Sequence, residues 1–353
     1  MISELSQAWG PIESVNEGYA RDGEVRFKGS SGGAATAIAL WALEEGGYNG
    51  VLHAKAGSDN PLLTVPAFSR TCAEIMGAVG SRYAPAPVCR QFSAIEKVQG
   101  PILFIGKPCD CAALRAAGCL DKKLGAKVGL VVSIFCAGTP ASSGTLEILK
   151  GMGIDDPGLV SSFRYRGYGW PGEATAFLRT PGGDSEIDRK NTKAMAYDQA
   201  WGEILTGHVQ LRCRLCPDKT GEFADISLGD PWYRKNREGD EGRSLILVRS
   251  ARGAKALQKA VRKGYLKSEP IDLLLTDLRL AGDSGMDLLD QAISLPQPPV
   301  AVMMTAYGSV DTAVEAMRRG AWNFVTKPLN LNEVELLLKR ALRSRSLEKD
   351  KAR

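Results

Sequence analysis

The segment "LRCRLCPDKTG", residues 211–221, carries Cys213 and Cys216 two residues apart, with Pro217 directly after the second cysteine. A Cys-x-x-Cys pair can bind a metal, act as a redox dithiol or stay reduced without a role. A thioredoxin-like dithiol would open a helix after a strand, whereas residues 218–221 have the composition of a turn. The pair therefore favours metal binding, and a four-ligand site needs cysteines from elsewhere in the chain.

Two further cysteines follow apolar runs. The runs at 102–105 and 128–135 are short enough for buried strands of a parallel sheet, and Cys109 and Cys136 come just after their ends. In open α/β sheets, ligands bind outside the carboxyl ends of the strands. We therefore predict one four-thiolate site, assembled from three segments by Cys109, Cys136, Cys213 and Cys216.

Zinc and an iron–sulfur cluster both accept four thiolates. Structural zinc usually uses two local Cys-x-x-Cys pairs, and this chain has one, while proline after a ligating cysteine occurs in ferredoxin-type sequences. Both points favour iron–sulfur. Cys111 is a close alternative to Cys109 as a ligand. The remaining three cysteines are predicted to be small buried residues: Cys72, Cys89 and Cys119.

The segments that carry these residues alternate between helix and strand signals from about residue 30, which predicts an α/β fold. In "GSSGGAATAIALWALEEGG", Ser30 or Ser31 can cap a helix predicted over 34–45, and a strand is predicted over 51–54. A helix start rich in glycine and serine offers free backbone N–H groups to a phosphate. An ordinary helix cap explains the same residues equally well.

Composition excludes several classes of function. The chain has 353 residues and a net charge of +5 spread along its length, which argues against nucleic acid as a partner. No apolar run is long enough to span a membrane and residues 1–19 do not read as a signal peptide, so we expect a cytoplasmic protein without disulfides. His53 and His208 are the two histidines, so neither a histidine-rich metal site nor a Ser-His-Asp triad is supported.

Seven motifs together resemble the coenzyme F-420 hydrogenase/dehydrogenase beta-subunit family over about residues 10–266. They are "SSGGAATAIALWALEEG", "GSRYAPAPV", "GKPCDCAALR", "SIFCAGTPAS", "FRYRGYGWPG", "RCRLCPDKTGEFADISLGDPWY" and "GRSLILVRSARG". The resemblance implies a flavoprotein that holds FAD beside a [4Fe-4S] cluster and passes electrons between the cluster and a deazaflavin, coenzyme F-420, or another acceptor. Its implied partner is a redox protein, either a ferredoxin or a hydrogenase/dehydrogenase subunit, or a small-molecule acceptor.

The resemblance also implies roles for single residues. The four cysteines named above match the family's ordered cysteines, and a second set matches its flavin-side motifs: Ser31, Gly32, Gly33, Ser81, Tyr83 and Lys107. No proton-transfer residue stands out, since Asp225 and Asp230 are candidates by position alone. The chain lacks the N-terminal ferredoxin-like cysteine run of many members, which leaves its electron partner open. The family's own domain normally continues past residue 266, so we expect this one to be truncated there.

From residue 270 the sequence changes character and resembles the receiver domain of two-component response regulators. Apolar runs at 273–276, 300–304 and 323–325 predict buried strands that end at Asp277, Thr305 and Lys327. A carboxylate, a hydroxyl and an amine at neighbouring strand ends are the groups needed to take up and hold a phosphoryl group. The resemblance makes Asp277 the phosphoacceptor, Thr305 and Phe324 switch residues, Lys327 the phosphate contact and a histidine kinase the partner.

This receiver is expected to lack its first two strands and the acidic pair that binds Mg²⁺, so Mg²⁺ would be a cofactor only if the fragment is active. The predicted organisation is an F-420 beta-subunit-like domain at 1–266, a partial doubly wound, flavodoxin-like receiver fragment at 267–345 and a charged tail at 346–353. The favoured function is a flavin- and iron–sulfur-dependent oxidoreductase. The alternatives are a phosphorelay protein acting through Asp277, a non-catalytic binding module stapled by zinc, and a non-functional chimera.

Overall fold

The computed structural model describes residues 10–179, 191–232, 239–271, 273–278, 284–295, 298–305 and 310–351. The chain divides into two compact units, a larger one over residues 16–269 and a smaller one that contains residues 270 onward and the chain before residue 16. None of the helices in those ranges combines the length and the apolar composition needed to cross a membrane.

The described strands alternate with helices along most of the chain, as the sequence predicts. The strands are β1 Ser14–Ala20, β2 Val51–Ala56, β3 Thr64–Ser69, β4 Ile102–Gly106, β5 Val128–Ile134, β6 Val160–Arg164, β7 Glu173–Leu178, β8 Thr192–Ala196, β9 Ile226–Gly229, β10 Ser244–Val248, β11 Leu266–Pro270, β12 Leu273–Asp277, β13 Val300–Thr305 and β14 Asn323–Thr326. The runs that predicted β2, β4, β5 and β12–β14 all form strands, which extend to within two residues of the predicted ends. The predicted α/β fold is confirmed.

The described α-helices have 4 to 21 residues, and the last of them is the longest. They are α1 Gly23–Lys28, α2 Ala34–Glu44, α3 Cys72–Met76, α4 Phe92–Glu96, α5 Pro108–Leu120, α6 Lys122–Lys127, α7 Ser142–Gly151, α8 Leu211–Arg214, α9 Ala251–Arg262, α10 Gly285–Ile293, α11 Val310–Arg318 and α12 Leu331–Lys351. A π-helical segment at Asp198–Ile204 and 3₁₀ turns at Val88–Gln91, Pro157–Leu159 and Leu205–His208 complete the helical elements that the structure describes.

In the described part of the larger unit, eight strands form a mixed sheet in the order β11-β1-β10-β9-β5-β4-β2-β3. The central strands β2, β4, β5 and β9 are mutually parallel, and β10 runs antiparallel to β9. The carboxyl ends of the parallel strands and the start of β10 therefore lie along one edge of the sheet. Ligands of open α/β sheets bind at such an edge.

The core of this sheet follows from its sequence. The central strands read as continuous apolar runs because helices cover them, and α2 packs its alanines, Ile38 and Trp41 against Val51, Leu103 and Leu130. A smaller antiparallel sheet, β6-β7-β8, has a core of its own around Phe163, Tyr165 and the apolar face of α7. The strands β6 and β7 pair antiparallel on either side of the Gly-Trp-Pro-Gly turn.

Within the described residues of the smaller unit, β12, β13 and β14 form a parallel sheet in that order. Their apolar residues pack with α10, and the core includes Leu289, Ala301 and Met303. Because parallel strands with crossover helices bury both faces, this arrangement is typical of part of a doubly wound fold.

Candidate functional site

Three of the functional segments follow neighbouring strands at the same edge of the larger sheet. Lys107 follows β4, Cys136 lies two residues beyond β5, and Asp230 follows β9. The register pairs Gly106 with Ser133 and Ile134 with Leu228, so these strands end side by side. The edge predicted from the sequence therefore gathers residues from distant parts of the chain.

The four thiols that the sequence assigns to one site are neighbours in the structure. Burial raises the pKa of the Cys136 thiol, and the nearby Cys109 and Cys213 thiols add to that rise. Although Cys109 is exposed overall, desolvation of its thiol raises its pKa, with contributions from Asp110 and Cys216. The Cys216 Sγ lies 3.3 Å from the carbonyl oxygen of Asp218.

These thiols lie near one another, but they are not arranged around a common point. In the ranges that the structure describes, no group of three or more His, Cys, Asp or Glu side chains is arranged to hold a metal ion. The donor set itself fits a four-thiolate cluster, because each of the three segments brings thiols to the same edge and four cysteines are what a [4Fe-4S] cluster requires.

The structure distinguishes Cys109 from Cys111, the alternative ligand, by the exposure of the two thiols. Cys111 is completely buried among the apolar residues beneath α5, and burial raises the pKa of its thiol to about 12. Such a thiol is a poor ligand because it must be deprotonated to bind a metal. Cys109, two residues earlier in α5 and therefore on a different face of the helix, is exposed at the sheet edge.

The prediction that three cysteines are small buried residues was wrong. Cys89 and Cys119 are exposed, and Cys72 is partly exposed with its thiol 3.2 Å from Glu44 Oε1. Cys89 falls in a surface 3₁₀ turn and Cys119 near the C-terminal end of α5, where the helix presents its outer face. A sequence average for cysteine burial does not identify the face of a short element on which a given cysteine lies.

Lys107 caps α5 beside the thiols. Its ammonium lies 2.6 Å from Asp110 Oδ2, and the same oxygen accepts a hydrogen bond from the Lys107 backbone N–H. Burial alone would lower the pKa of Lys107, but the Asp110 carboxylate raises it overall, and Cys109 and Cys136 contribute. The lysine remains charged next to the thiol group, which favours negative charge there.

The Ser31-Gly32-Gly33 turn lies at the start of β10. Ser31 Oγ donates to the Arg243 carbonyl at 2.5 Å, and the Gly32 N–H donates to Ser244 Oγ at 3.1 Å. A Cβ on Gly32 would lie 2.7 Å from both the Gly18 carbonyl oxygen and the Ser244 nitrogen, so the backbones approach too closely for another residue. Gly33 has a φ of +71° and starts α2 without a side-chain cap.

The other two flavin-side candidates lie in different surroundings. The Ser81 N–H donates to Ser30 Oγ at 2.8 Å, so Ser81 is joined to the turn at the start of β10. Tyr83 instead packs in the core of the smaller sheet, with its ring 4.7 Å from that of Trp201. Its hydroxyl accepts a hydrogen bond from the Arg166 guanidinium at 3.3 Å.

Arg166 is held by Asp230 in a buried ion pair. The arginine is 2% exposed, and its two terminal nitrogens lie 2.8 and 3.0 Å from the carboxylate oxygens of Asp230. The Trp170 indole N–H donates to the same carboxylate at 2.9 Å. Both carboxylate oxygens of Asp230, a proton-transfer candidate by position alone, therefore accept hydrogen bonds from structural donors.

Asp225, the other carboxylate considered for proton transfer, is likewise a structural hub. It accepts hydrogen bonds from Arg115, from the Val131 N–H and from Ser250, at 2.7–3.0 Å. It joins α5, β5 and the start of α9.

Sequence reasoning missed His208. Its Nδ1 lies 3.0 Å from Ser143 Oγ and its Nε2 lies 2.7 Å from Glu147 Oε2. The i,i+4 spacing of Ser143 and Glu147 on a predicted helix could have identified a possible pair, but no local signal connects them to a residue about sixty positions later.

In the smaller unit, the predicted phosphate site comes together at the strand ends. The Lys327 ammonium contacts the Asp277 carboxylate, and the Lys327 N–H donates to the Thr305 carbonyl at 2.7 Å. Phe324 packs partly buried against the core of this unit. Asp277, Thr305 and Lys327 thus follow or end β12, β13 and β14 at one edge, as predicted from the sequence.

Comparison with known families agrees with both resemblances. Residues 15–92 match the family model for the N-terminal part of the coenzyme F420 hydrogenase/dehydrogenase beta subunit, and residues 100–273 match the model for the C-terminal part of the same protein. Together the two models span most of the chain. The chain therefore belongs to the coenzyme F420 hydrogenase/dehydrogenase beta-subunit family. Membership supports an electron-transfer role of the oxidoreductase type.

A receiver-domain model matches residues 246–339 and overlaps the beta-subunit match. The structure builds the first part of that match, residues 246–269, into β10, α9 and β11 of the larger unit's sheet. The receiver fold described here therefore starts at β12.

Individual similar proteins also fall into two groups, one that resembles the larger unit and one that resembles the receiver fragment. A chain of the F420-reducing [NiFe] hydrogenase complex from Methanosarcina barkeri matches with a TM-score of 0.57 and 23% identity, over 75% of this chain and 84% of that one, which shows a shared fold. The response regulator protein PilR of Pseudomonas aeruginosa is 43% identical over 35% of this chain and 26% of its own length. The regulatory protein AtoC of Escherichia coli is 39% identical over 22% of this chain and 17% of its own. The chain thus spans about a quarter or less of these two regulators.

Proposed function

We propose that the larger unit is a flavin- and iron–sulfur-dependent oxidoreductase that passes electrons between FAD, a [4Fe-4S] cluster and coenzyme F420 or another acceptor. The observation that carries the proposal is that four cysteines from three separate segments lie near the sheet edge where the Ser31-Gly32-Gly33 turn also lies. Membership of the beta-subunit family supports the redox class of the reaction.

Each group of residues has a distinct part in this proposal. Cys109, Cys136, Cys213 and Cys216 would hold the cluster, and Lys107 would offset part of its negative charge. The glycine-rich start of α2 would present backbone N–H groups to the phosphates of FAD. When bound, the cluster would exchange single electrons and the flavin would exchange electron pairs with the acceptor.

The proposal is tested by purifying the full chain without oxygen and measuring its visible spectrum, iron, acid-labile sulfide and flavin. We expect a flavin band and about four irons per chain, as a four-cysteine [4Fe-4S] site requires. Cys213→Ser should lose most of the iron, while Cys119→Ser, an exposed cysteine outside the site, should keep it. A protein that binds zinc without sulfide or flavin, or a Cys213→Ser variant with full iron content, would contradict the proposal.

We further propose that the smaller unit keeps the framework of a receiver's phosphate site but does not carry out phosphoryl transfer. The contact between Lys327 and Asp277 supports the framework. No Asp or Glu occurs between residues 244 and 268, where the receiver match begins. A receiver that lacks its acidic pair lacks protein ligands for Mg²⁺, and phosphoryl transfer then loses its main charge neutralisation.

A further inference from the structure

Two of the cysteine segments are tied together by a short antiparallel contact. The Ala141 N–H donates to the His208 carbonyl at 2.9 Å, the Gln210 N–H donates to the Thr139 carbonyl at 3.2 Å, and Pro140 and Val209 form a bridge between them. One strand of this contact leads directly from Cys136, and the other leads directly into the helix that carries Cys213. Its geometry therefore bears on the distance between those two thiols.

The His208 side chain fastens this contact to a helix. Its two ring nitrogens bind Ser143 and Glu147, which lie one turn apart on α7. A Cβ on Gly144, between them, would lie 3.1 Å from the His208 Cβ, so the histidine packs directly on the helix backbone. Both polar atoms of the ring and one face of the side chain are thus used to hold the segment.

The two segments are also joined on the far side of the cysteines. The Cys136 N–H donates to the Lys219 carbonyl at 2.9 Å, and the Lys219 ammonium donates to the Cys213 carbonyl. Between these two sets of hydrogen bonds the two segments are in close contact. A Cβ on Gly138 would lie 2.6 Å from the Val209 side chain and 3.4 Å from the Cys213 Cβ. The loops around the thiols are short and are fixed at both ends.

We propose that His208, through Ser143 and Glu147, is a positioning residue that sets the separation between Cys136 and the Cys213–Cys216 pair. The inference deepens the proposed function and rests on it for its significance. Four thiolates from distant segments bind a cluster tightly only if the fold fixes their relative positions before binding, because ordering them on binding costs conformational entropy. His208 supplies that order without being a ligand.

Hydrolysis is a less suitable role for the same three residues. A nucleophilic serine needs a substrate pocket beside it. Cavities of about 320 and 260 Å³ lie elsewhere in the described chain, around Cys119 on α5 and around Tyr265. The trio lies instead on the outer face of α7, where Ser143 and Glu147 are exposed.

The first test measures the separation in the metal-free chain. The oxidant diamide takes the two thiol hydrogens and two electrons as a disulfide forms, so it reports which thiols meet. In the reduced full chain we expect both the Cys136–Cys213 and the local Cys213–Cys216 disulfides by mass spectrometry. His208→Ala and Glu147→Gln should shift the ratio several-fold toward the local disulfide, in keeping with the usual size of outer-shell effects. An unchanged ratio would overturn the proposal.

The second test measures cluster retention in the anaerobically purified protein. His208→Ala should release iron to a chelator about tenfold faster than the parent, the lower end of the loss typical for outer-shell residues. Flavin content should stay the same. His53→Gln, a change at the other histidine, controls for general loss of stability and should leave iron release unchanged.

The two tests separate the possible failures. Equal iron release from His208→Ala and the parent would overturn the positioning role. A parent chain without iron would instead contradict the proposed function, while a shifted disulfide ratio would still uphold the role of His208.

Discussion

At the scale of single residues, Arg166 shows how far a side chain's role depends on its surroundings. Its sequence context, rich in aromatic and basic residues, is compatible with binding a flat anionic ligand. In the fold the guanidinium is buried, paired with Asp230, and stacked 4.7 Å from the Tyr197 ring centre. Burial also raises the pKa of the Tyr197 hydroxyl, with Tyr83 adding to it. A buried cation of this kind is costly unless its partner stays charged.

We therefore predict that Asp230→Asn destabilises the larger unit by about 3–5 kcal/mol, because it keeps the shape of the side chain but leaves Arg166 buried without a counter-charge. Urea unfolding followed by tryptophan fluorescence measures the change, since Trp170 lies against the pair. Glu241→Gln is the matched control: Glu241 is 55% exposed in its pair with Arg26 and should contribute less than about 1 kcal/mol. Equal losses in the two variants would contradict the prediction.

At the scale of elements, the sequence predicts the strands that are buried on both faces and gives little warning of the others. Continuous apolar runs such as 128–134 have one stable placement, in the middle of a covered sheet. In contrast, β8 carries mostly exposed side chains, and the π-helical turn after it has no sequence signature. The contacts that decide the site, such as His208 with α7, join elements far apart in sequence and could not be read from local patterns.

His53 on β2 illustrates an element whose stability depends on pH. Its Nε2 lies 2.8 Å from Ser69 Oγ on the paired strand β3, and burial lowers the pKa of the imidazole. Since the folded pKa is lower than the unfolded value of about 6.5, the unfolded chain binds more protons below that pH. The stabilisation is therefore complete above about pH 6.5 and decreases as the pH falls toward the folded pKa.

We predict that the free energy of unfolding falls more steeply below about pH 6.5 in the parent than in His53→Gln, by up to about 1.4 kcal/mol per pH unit. Urea unfolding at pH 8 and at several lower values gives the comparison. The pH 8 measurement isolates the pH-independent cost of the substitution, because His53 is neutral in both states there. Parallel pH profiles would show that His53 is not responsible.

At the scale of the whole molecule, two family resemblances meet in one chain, and both were recognisable from motifs alone. The beta-subunit and receiver family models both match residues 246–273. In the fold, this shared segment belongs to the larger sheet as far as the end of β11. The motif "GRSLILVRSARG" assigned most of the shared segment to the first family, although an apolar strand followed by an amphipathic helix suits either fold. Its assignment follows from the antiparallel pairing of β10 with β9.

We predict that the full chain does not form a stable acyl phosphate at Asp277 when incubated with acetyl phosphate and Mg²⁺, because the carboxylates that would bind the metal are missing. Phosphate-affinity electrophoresis and peptide mass spectrometry check this outcome. Asp277→Asn is the control, since labelling that persists in it arises elsewhere. Stoichiometric labelling that disappears in Asp277→Asn would restore the phosphorelay function.

The position of β10 has a further consequence for how the chain could change. Both edges of β10 are occupied, by β1 on one side and β9 on the other. A strand can complete only one sheet at a time, so the receiver fragment could use β10 as its missing first strand only by breaking the eight-stranded sheet at its third strand. Both folds would need β10, and in this structure the larger sheet holds β10 by backbone hydrogen bonds on both sides. Any variant that restored a full receiver from this chain would therefore do so at the expense of the oxidoreductase unit.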